Sequence, residues 1–225
     1  MRGKHLMVAY NGHELTDKTV YNFHRDTCIK AKENDIRIYM GRGRRVNAGD
    51  AFTMGYFCDT DRVLAVATGD KSMSWEDVLG TYVHESCHMD QWIDGTKYWF
   101  DSLGVCYEIL QKYFNQEPVP LSEIHWALDS IVQLEADCEI RSIKKIKEYG
   151  LPIDVERYAQ LANGYLYFHS AMLHYKSWYR HPPSTVGVTD TFSKTLYPPA
   201  HYRVSKSNIN PKIFEPCFAA GKATA

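Results

Sequence analysis

The fold and the site of this chain are expected to form around the stretch Val83-His84-Glu85-Ser86-Cys87-His88-Met89. This stretch contains the pattern His-Glu-x-x-His. On an α-helix, positions four apart lie on one face, about one turn from each other. His84 and His88 can therefore point the same way and bind one metal ion through neutral imidazole nitrogens. Glu85 lies about 100° round the same helix, within reach of a water on that metal. The stretch predicts a metal-binding helix.

Two histidines beside a carboxylate are a donor set that suits zinc, which prefers nitrogen and oxygen ligands in tetrahedral sites. An open fourth position would hold a water whose pKa falls to about 7, so hydroxide would be available at neutral pH. Glu85 would take the proton from that water and deliver it to a leaving group. Zinc is therefore the predicted cofactor. The alternative is a pair of histidines on a surface helix without a metal.

A catalytic zinc site usually has three protein ligands, and the candidates after His88 concentrate in residues 133–139. With steps of about 100°, Glu135 lies at the centre of the apolar stripe of a predicted helix, and Glu139 follows one turn later. A carboxylate buried without a cation, a hydrogen bond or a proton is costly. We therefore predict Glu135 as the third ligand, with Glu139 accepting a hydrogen bond from a liganding histidine. Two alternatives stay open: Glu139 is itself the ligand, or both acids pair with Arg or Lys.

Length, charge and cysteine usage narrow the class of protein. The chain has 225 residues, 44% of them apolar, so it can form one domain with a sizeable core. Its net charge of −1 gives no reason to expect a nucleic-acid partner or a charged membrane surface. No signal-peptide core and no membrane-spanning apolar run is present. The six cysteines are scattered without a C-x-x-C pair, so we expect free thiols and a cytoplasmic location.

The order of the predicted elements indicates an α+β fold. A small N-terminal β-sheet is expected to pack with the His-Glu-x-x-His helix, and a mainly helical half follows. Thr16-Asp17 and Ser74 can cap helices, because their side chains accept hydrogen bonds from free backbone N–H groups. Strands are predicted at residues 36–40, 51–58 and 62–68, and helices at about 16–32, 74–92, 98–114, 122–149 and 154–179. Residues 1–14 are expected to form an irregular arm or a short strand.

The chain becomes rich in proline after about residue 180. They are Pro182, Pro183, Pro198, Pro199, Pro211 and Pro216. Proline has no backbone N–H and interrupts helices, so this segment is expected to be extended. We predict a domain of residues 1–180, followed by a tail of residues 181–225 that packs on the domain or on a protein partner.

The arrangement resembles the zincin metallopeptidases: a sheet, then the helix with His84-Glu85-Ser86-Cys87-His88, then a later helix with a glutamate. It is similar to the branch whose third ligand is Glu, and the similarity covers about residues 36–140. Many members of that branch have Glu-x-x-x-Asp, where this chain has Glu135-x-x-x-Glu139. Other branches have Glu-x-x-Ala-Asp, and residues 133–137 would place Gln where the ligand belongs. The resemblance therefore indicates the broad family and no narrower one.

The resemblance implies peptide-bond hydrolysis of a peptide or protein substrate, in which zinc polarises the scissile carbonyl and Glu85 activates the water. It implies that the strand nearest the motif, residues 62–68, binds the substrate backbone by edge addition. It also implies an oxyanion donor, often Tyr or His, from a later segment. The candidates there are Tyr165, His169, His174, Tyr175, Tyr179 and His181.

Two other functions remain open. The proline-punctuated tail and the many aromatic residues, including sixteen Tyr, favour a non-catalytic binding or structural protein on a zincin-like scaffold. The same metal site could also hydrolyse another amide or an ester, because fold and metal do not determine the substrate.

Two charged features are expected only at the solvated surface. One is Asp90, which follows the motif. The other is the set of basic residues at the end of the long predicted helix, which complement the negative end of its dipole. These are Arg141, Lys144, Lys145 and Lys147.

Overall fold

The computed structural model of this chain has the predicted α+β architecture, with a small N-terminal sheet, a mainly helical remainder and a tail of short turns. It describes residues 9–10, 13–14, 18–49, 51–69, 74–102, 104–207 and 209–219, without the side chains of 9–10, 13–14, 51 and 101–102. The predicted cap at residues 16–17 and most of the predicted arm at 1–14 lie outside these residues. The chain forms two compact units, residues 1–94 with 141–153 and residues 95–140 with 154–225.

The first unit contains the sheets and the helix of the motif. Its helices are α1 (Lys18–Glu33), α2 (Trp75–Ile93) and the last nine residues of α5 (Leu121–Tyr149). Its strands are β1 (Ala9–Tyr10), β2 (His13–Glu14), β3 (Arg37–Gly41), β4 (Val46–Ala48), β5 (Ala51–Thr53), β6 (Gly55–Cys58) and β7 (Val63–Ala67). The main sheet has the order β3-β7-β6, in which β7 runs parallel to β3 and antiparallel to β6. The predicted strand 51–58 is two strands, because β5 pairs with β4 and β6 pairs with β7.

The expectation that residues 62–68 bind a substrate along a free edge is wrong, because β7 is the central strand of its sheet. Its apolar run already indicates this position. Leu64, Ala65 and Val66 are all fully buried, and a strand covered on both faces has a continuous apolar sequence with no polar alternation. In the described part of the chain, the outer strands of this sheet are β3 and β6.

Helix α2 begins where the sequence predicts. The Ser74 side chain accepts a hydrogen bond from the backbone N–H of Asp77 at 3.0 Å. This satisfies one of the free N–H groups of the first turn, and Glu76 and Asp77 complement the positive end of the helix dipole. The helix ends at Ile93, with Asp94 as its C-cap. Gly95 follows at a φ of +64°, a left-handed conformation that glycine adopts without steric cost.

The second unit is helical. It contains α3 (Lys97–Ser102), α4 (Val105–Phe114), the first twenty residues of α5 (Leu121–Tyr149), α6 (Val155–Tyr175) and α7 (Glu215–Phe218). The single helix predicted at 98–114 is wrong, because Gly104 has a φ of +76° and separates α3 from α4. Helix α6 also ends four residues before the predicted Tyr179, since Lys176 adopts a left-handed conformation at its C-terminus.

The proline-punctuated segment packs on helix α6 within the second unit. The Asn163 side-chain N–H groups donate to the backbone carbonyls of Ser193 at 2.8 Å and Thr195 at 3.0 Å. The Tyr202 hydroxyl donates to Oδ1 of Asn163 at 2.6 Å. These hydrogen bonds satisfy carbonyls that no regular element pairs, and they hold the segment in one path. A partner bound through this segment remains a prediction.

No helix in the described residues combines the length and apolar content that crossing a bilayer requires. All six cysteines are free thiols, as the absence of a paired spacing indicates.

Candidate metal centre

Helix α2 brings the two motif histidines together as their spacing predicts. The ring centroids of His84 and His88 are 4.6 Å apart, and the ring planes are nearly perpendicular at 87°. His88 is buried, whereas His84 is half-buried. Val83 and Cys87 lie about 100° round the helix from His84 and His88 respectively, and both are fully buried. Packing on one side therefore fixes which way the imidazole pair faces.

The tautomer of His88 is set by a hydrogen bond to Gln91. The Nδ1–H group of His88 donates to Oε1 of Gln91 at 2.8 Å, which leaves a lone pair on Nε2. The Nε2 atom of His84 lies 3.1 Å from this Nε2 atom. In a tetrahedral site, Zn–N bonds of about 2.0–2.1 Å separate two nitrogens by about 3.3–3.4 Å. The imidazoles thus lie near the spacing of two zinc ligands. A hydrogen bond from His84 to His88 would also satisfy this distance.

Glu85 is buried beside strand β6, whose backbone passes very close to it. A Cβ atom built on Gly55 would lie 2.8 Å from Cγ of Glu85 and 2.7 Å from Cγ2 of Thr81. Both distances are too short for real carbon contacts, so only glycine fits at this position. The backbone of β6 therefore forms a wall that positions the Glu85 side chain.

We expect the Gly55→Ala substitution to displace Glu85 and reduce hydrolysis while zinc content is retained. Overpacking of this kind typically costs about 1–3 kcal/mol of stability. Unfolding midpoints, zinc content and turnover per folded molecule would be measured together.

Gly41→Ala is the matched control for this substitution. A Cβ there would lie 2.7 Å from Cγ1 of Val46, on β3 and away from Glu85. It should lower stability without lowering turnover per folded molecule. Equal turnover in both variants would show that the wall does not position Glu85.

In the second unit, helix α5 buries the two acids as its apolar stripe predicts. Glu135 and Glu139 are each 6% exposed, and Cys138 between them is fully buried. Asp137, on another face, is only half-buried. The five residues predicted for the site are thus divided between the units. His84, Glu85 and His88 belong to the first, and Glu135 and Glu139 belong to the second. Their convergence on one metal ion remains a prediction.

Tyr165 and His169 on helix α6 lie in the electrostatic field of Glu135. Burial raises the pKa of Tyr165 well above its usual value, and the Glu135 carboxylate raises it further. Burial lowers the pKa of His169, an effect that Glu135 opposes. The Nδ1–H group of His169 points to the carbonyls of Tyr165 at 3.1 Å and Leu166 at 3.2 Å. A neutral His169 therefore has no further N–H to donate, whereas the Tyr165 hydroxyl keeps its proton.

Two features of the site were not anticipated from the sequence. Gln91 was missed, although its position three residues after His88 places both side chains on one helix face. The expectation that Asp90 lies at the surface is wrong, since this residue is only 8% exposed. Its carboxylate contacts the Nζ atoms of Lys30 and Lys145 at 2.8 and 2.7 Å. A solvated role for Lys145 is therefore also wrong.

Comparisons of the chain with protein families, with curated proteins and with solved structures gave no match. The resemblance to the zincins accordingly depends on the motif residues and their spacing.

Proposed function

We propose that this chain is a zinc-dependent hydrolase that cleaves peptide bonds with a metal-activated water. The observation that carries the proposal is the pair of Nε2 atoms 3.1 Å apart, with the His88 lone pair fixed by Gln91. Imidazoles in this arrangement are ready to bind a metal with little loss of side-chain entropy. Zinc would supply the Lewis acid and lower the pKa of a bound water. Glu85 would accept the proton of that water and transfer it to the leaving amine.

The third ligand in this proposal is Glu135, a buried carboxylate on the acidic face of α5. Glu139 is an alternative ligand, or a hydrogen-bond acceptor for a liganding histidine. Cys138 is a further candidate, because it is fully buried and lies between Glu135 and Glu139 in the sequence of α5. A thiolate ligand is compatible with zinc, which accepts sulfur as well as nitrogen and oxygen. Each candidate makes a different prediction on substitution.

The substrate backbone would add to strand β6 and not to β7. Strand β6 is an outer strand of its sheet, and its first residue, Gly55, lies against Glu85. A peptide paired along this strand would pass the catalytic carboxylate in an extended conformation. Main-chain hydrogen bonds of this type give affinity that depends little on the substrate sequence. This supports a peptide or protein substrate over a small ester.

Zinc removal tests the proposal. The purified protein is expected to contain one zinc per chain and to cleave an unfolded reporter protein. Treatment with a zinc chelator should abolish cleavage, and added zinc should restore it. A panel of small amides and esters, assayed in parallel, reports whether peptide bonds are preferred.

The outcomes separate the candidate functions. Absence of stoichiometric zinc would contradict a zinc enzyme. Stoichiometric zinc without turnover of any peptide, amide or ester would instead support a non-catalytic protein on this scaffold. Faster turnover of small esters than of peptides would contradict the peptidase assignment alone.

A further inference from the structure

Four polar side chains form a network on the side of helix α2 that faces away from the imidazole pair. The Asp90 network consists of Lys30, Ser86, Asp90 and Lys145, all in the first unit. Lys145 Nζ lies 2.7 Å from Oδ2 of Asp90, and Lys30 Nζ lies 2.8 Å from Oδ1. Lys145 also donates a hydrogen bond to Oγ of Ser86 at 2.8 Å, and Ser86 donates to the carbonyl of Val83 at 2.7 Å. The Lys145 ammonium group thus contacts two successive turns of α2.

The contacts of Lys145 lie on the side of α2 away from His88, where they can restrain the rotation of the helix about its axis. Ser86 and Asp90 are each two residues from His88, which places them about 160° round the helix axis from it. A side chain that binds both Ser86 and Asp90 therefore determines how far α2 is rotated about its axis. That rotation in turn determines where the Nε2 atoms of His84 and His88 point. Among the side chains of the network, only Lys145 contacts both Ser86 and Asp90.

Burial makes the Lys145 contact stronger than an ordinary surface ion pair. The side chains of Lys145 and Asp90 are 17% and 12% exposed. Water screens such a pair much less than it screens exposed charges. One turn away, Arg141 and Asp94 form a second ion pair at 2.7 Å, but their side chains are 28% and 45% exposed. Helix α5 therefore holds α2 at two points, of which the Lys145 point is the buried one.

We propose that Lys145 is a positioning residue that orients His88 for zinc binding by fixing the rotation of α2. The inference rests on the proposed function only in naming zinc as the metal. It predicts that the Lys145 charge affects metal affinity although Lys145 is not a ligand.

A cavity next to the network provides a way to test the role of the charge. It has a volume of about 250 Å³, and its lining includes Lys30, Asp90, Lys145, Met89 and Tyr149. In a Lys145→Ala variant, a small alkylammonium ion from solution could enter this space and replace the lost ammonium group. An alcohol of the same size would fill the space without the charge.

Zinc affinity is the first measurement, by competition with a chromophoric chelator. Lys145→Met is expected to weaken zinc binding about 10–100-fold, the range typical for partners that orient metal ligands. Lys144→Met is the matched control, because the neighbouring Lys144 side chain is 74% exposed and contacts Glu148 only at 3.6 Å. It should bind zinc as the wild type does. Lys145→Arg, which keeps the charge, is the second variant in case Lys145→Met does not fold.

Chemical rescue and an experiment without metal complete the test. Propylammonium, but not 1-propanol, should restore zinc affinity to Lys145→Ala. In the zinc-free protein, the imidazole ¹⁵N signals of His88 should move in Lys145→Met and not in Lys144→Met. Unchanged zinc affinity and unchanged imidazole signals in folded Lys145→Met would overturn the inference, as would equal rescue by propanol. If the wild type binds no zinc, the proposed function fails, and the ¹⁵N signals still decide the role of Lys145.

Discussion

Replacement of Glu85 by Gln is expected to reduce peptide hydrolysis about 10²–10⁴-fold and to leave zinc binding unchanged. Gln has nearly the shape of Glu, so it fits beside the backbone of β6, where a Cβ on Gly55 would already meet Cγ of Glu85 at 2.8 Å. It cannot accept a proton at neutral pH, and the metal-bound water would lose its base. Both kcat and zinc content would be measured on the same preparation, because the prediction concerns their separation.

Glu76→Gln is the control for this substitution. Glu76 is an exposed acid in the first turn of the same helix, so the change removes the same charge away from the imidazole pair. Its turnover should match the wild type. A Glu85→Gln variant that retains full activity would contradict the assignment of Glu85 as the base. A variant that loses zinc as well would indicate that Glu85 acts on the metal site itself.

The second large effect is expected on zinc affinity when the third ligand is removed. Glu135→Ala should weaken zinc binding by more than the roughly 10–100-fold that loss of an orienting partner causes. The loss of zinc affinity in Glu139→Gln should stay within that range if Glu139 only accepts a hydrogen bond. Asp137→Ala is the control, because Asp137 lies between them in sequence on a less buried face of α5. Chelator competition gives the zinc affinities of the wild type and of these three variants under one set of conditions.

Cobalt substitution distinguishes a carboxylate ligand from a thiolate ligand. A Co²⁺-loaded protein with Glu135 as ligand should lack the intense near-ultraviolet absorption of a thiolate–cobalt bond. Such absorption in the wild type, and its loss in Cys138→Ala, would assign the third position to Cys138 and contradict Glu135. If Glu139→Gln alone loses zinc, the alternative with Glu139 as ligand is correct.

Several parts of the fold follow from local sequence patterns. Ser74 caps α2, and the motif histidines share one face because their spacing is one helical turn. Glu135 and Glu139 are buried because they lie on the apolar stripe of α5. In each case, the signal comes from neighbours within a few residues and from a period of 3.6 residues. The same logic predicts that the chain contains a metal-binding helix followed by a buried acidic face.

Other features depend on contacts between residues distant in sequence. Strand β7 is central because β3 and β6 both pair with it, and a short apolar run does not specify its neighbours. Lys145 lies among basic residues at a helix end, a pattern typical of solvated side chains, yet it contacts Ser86, 59 positions away. Sequence alone thus determined which residues share a helix face, because helical geometry is local. Tertiary structure alone decided that Asp90 is buried and that it pairs with Lys30 and Lys145, because ion pairing depends on how separate helices pack.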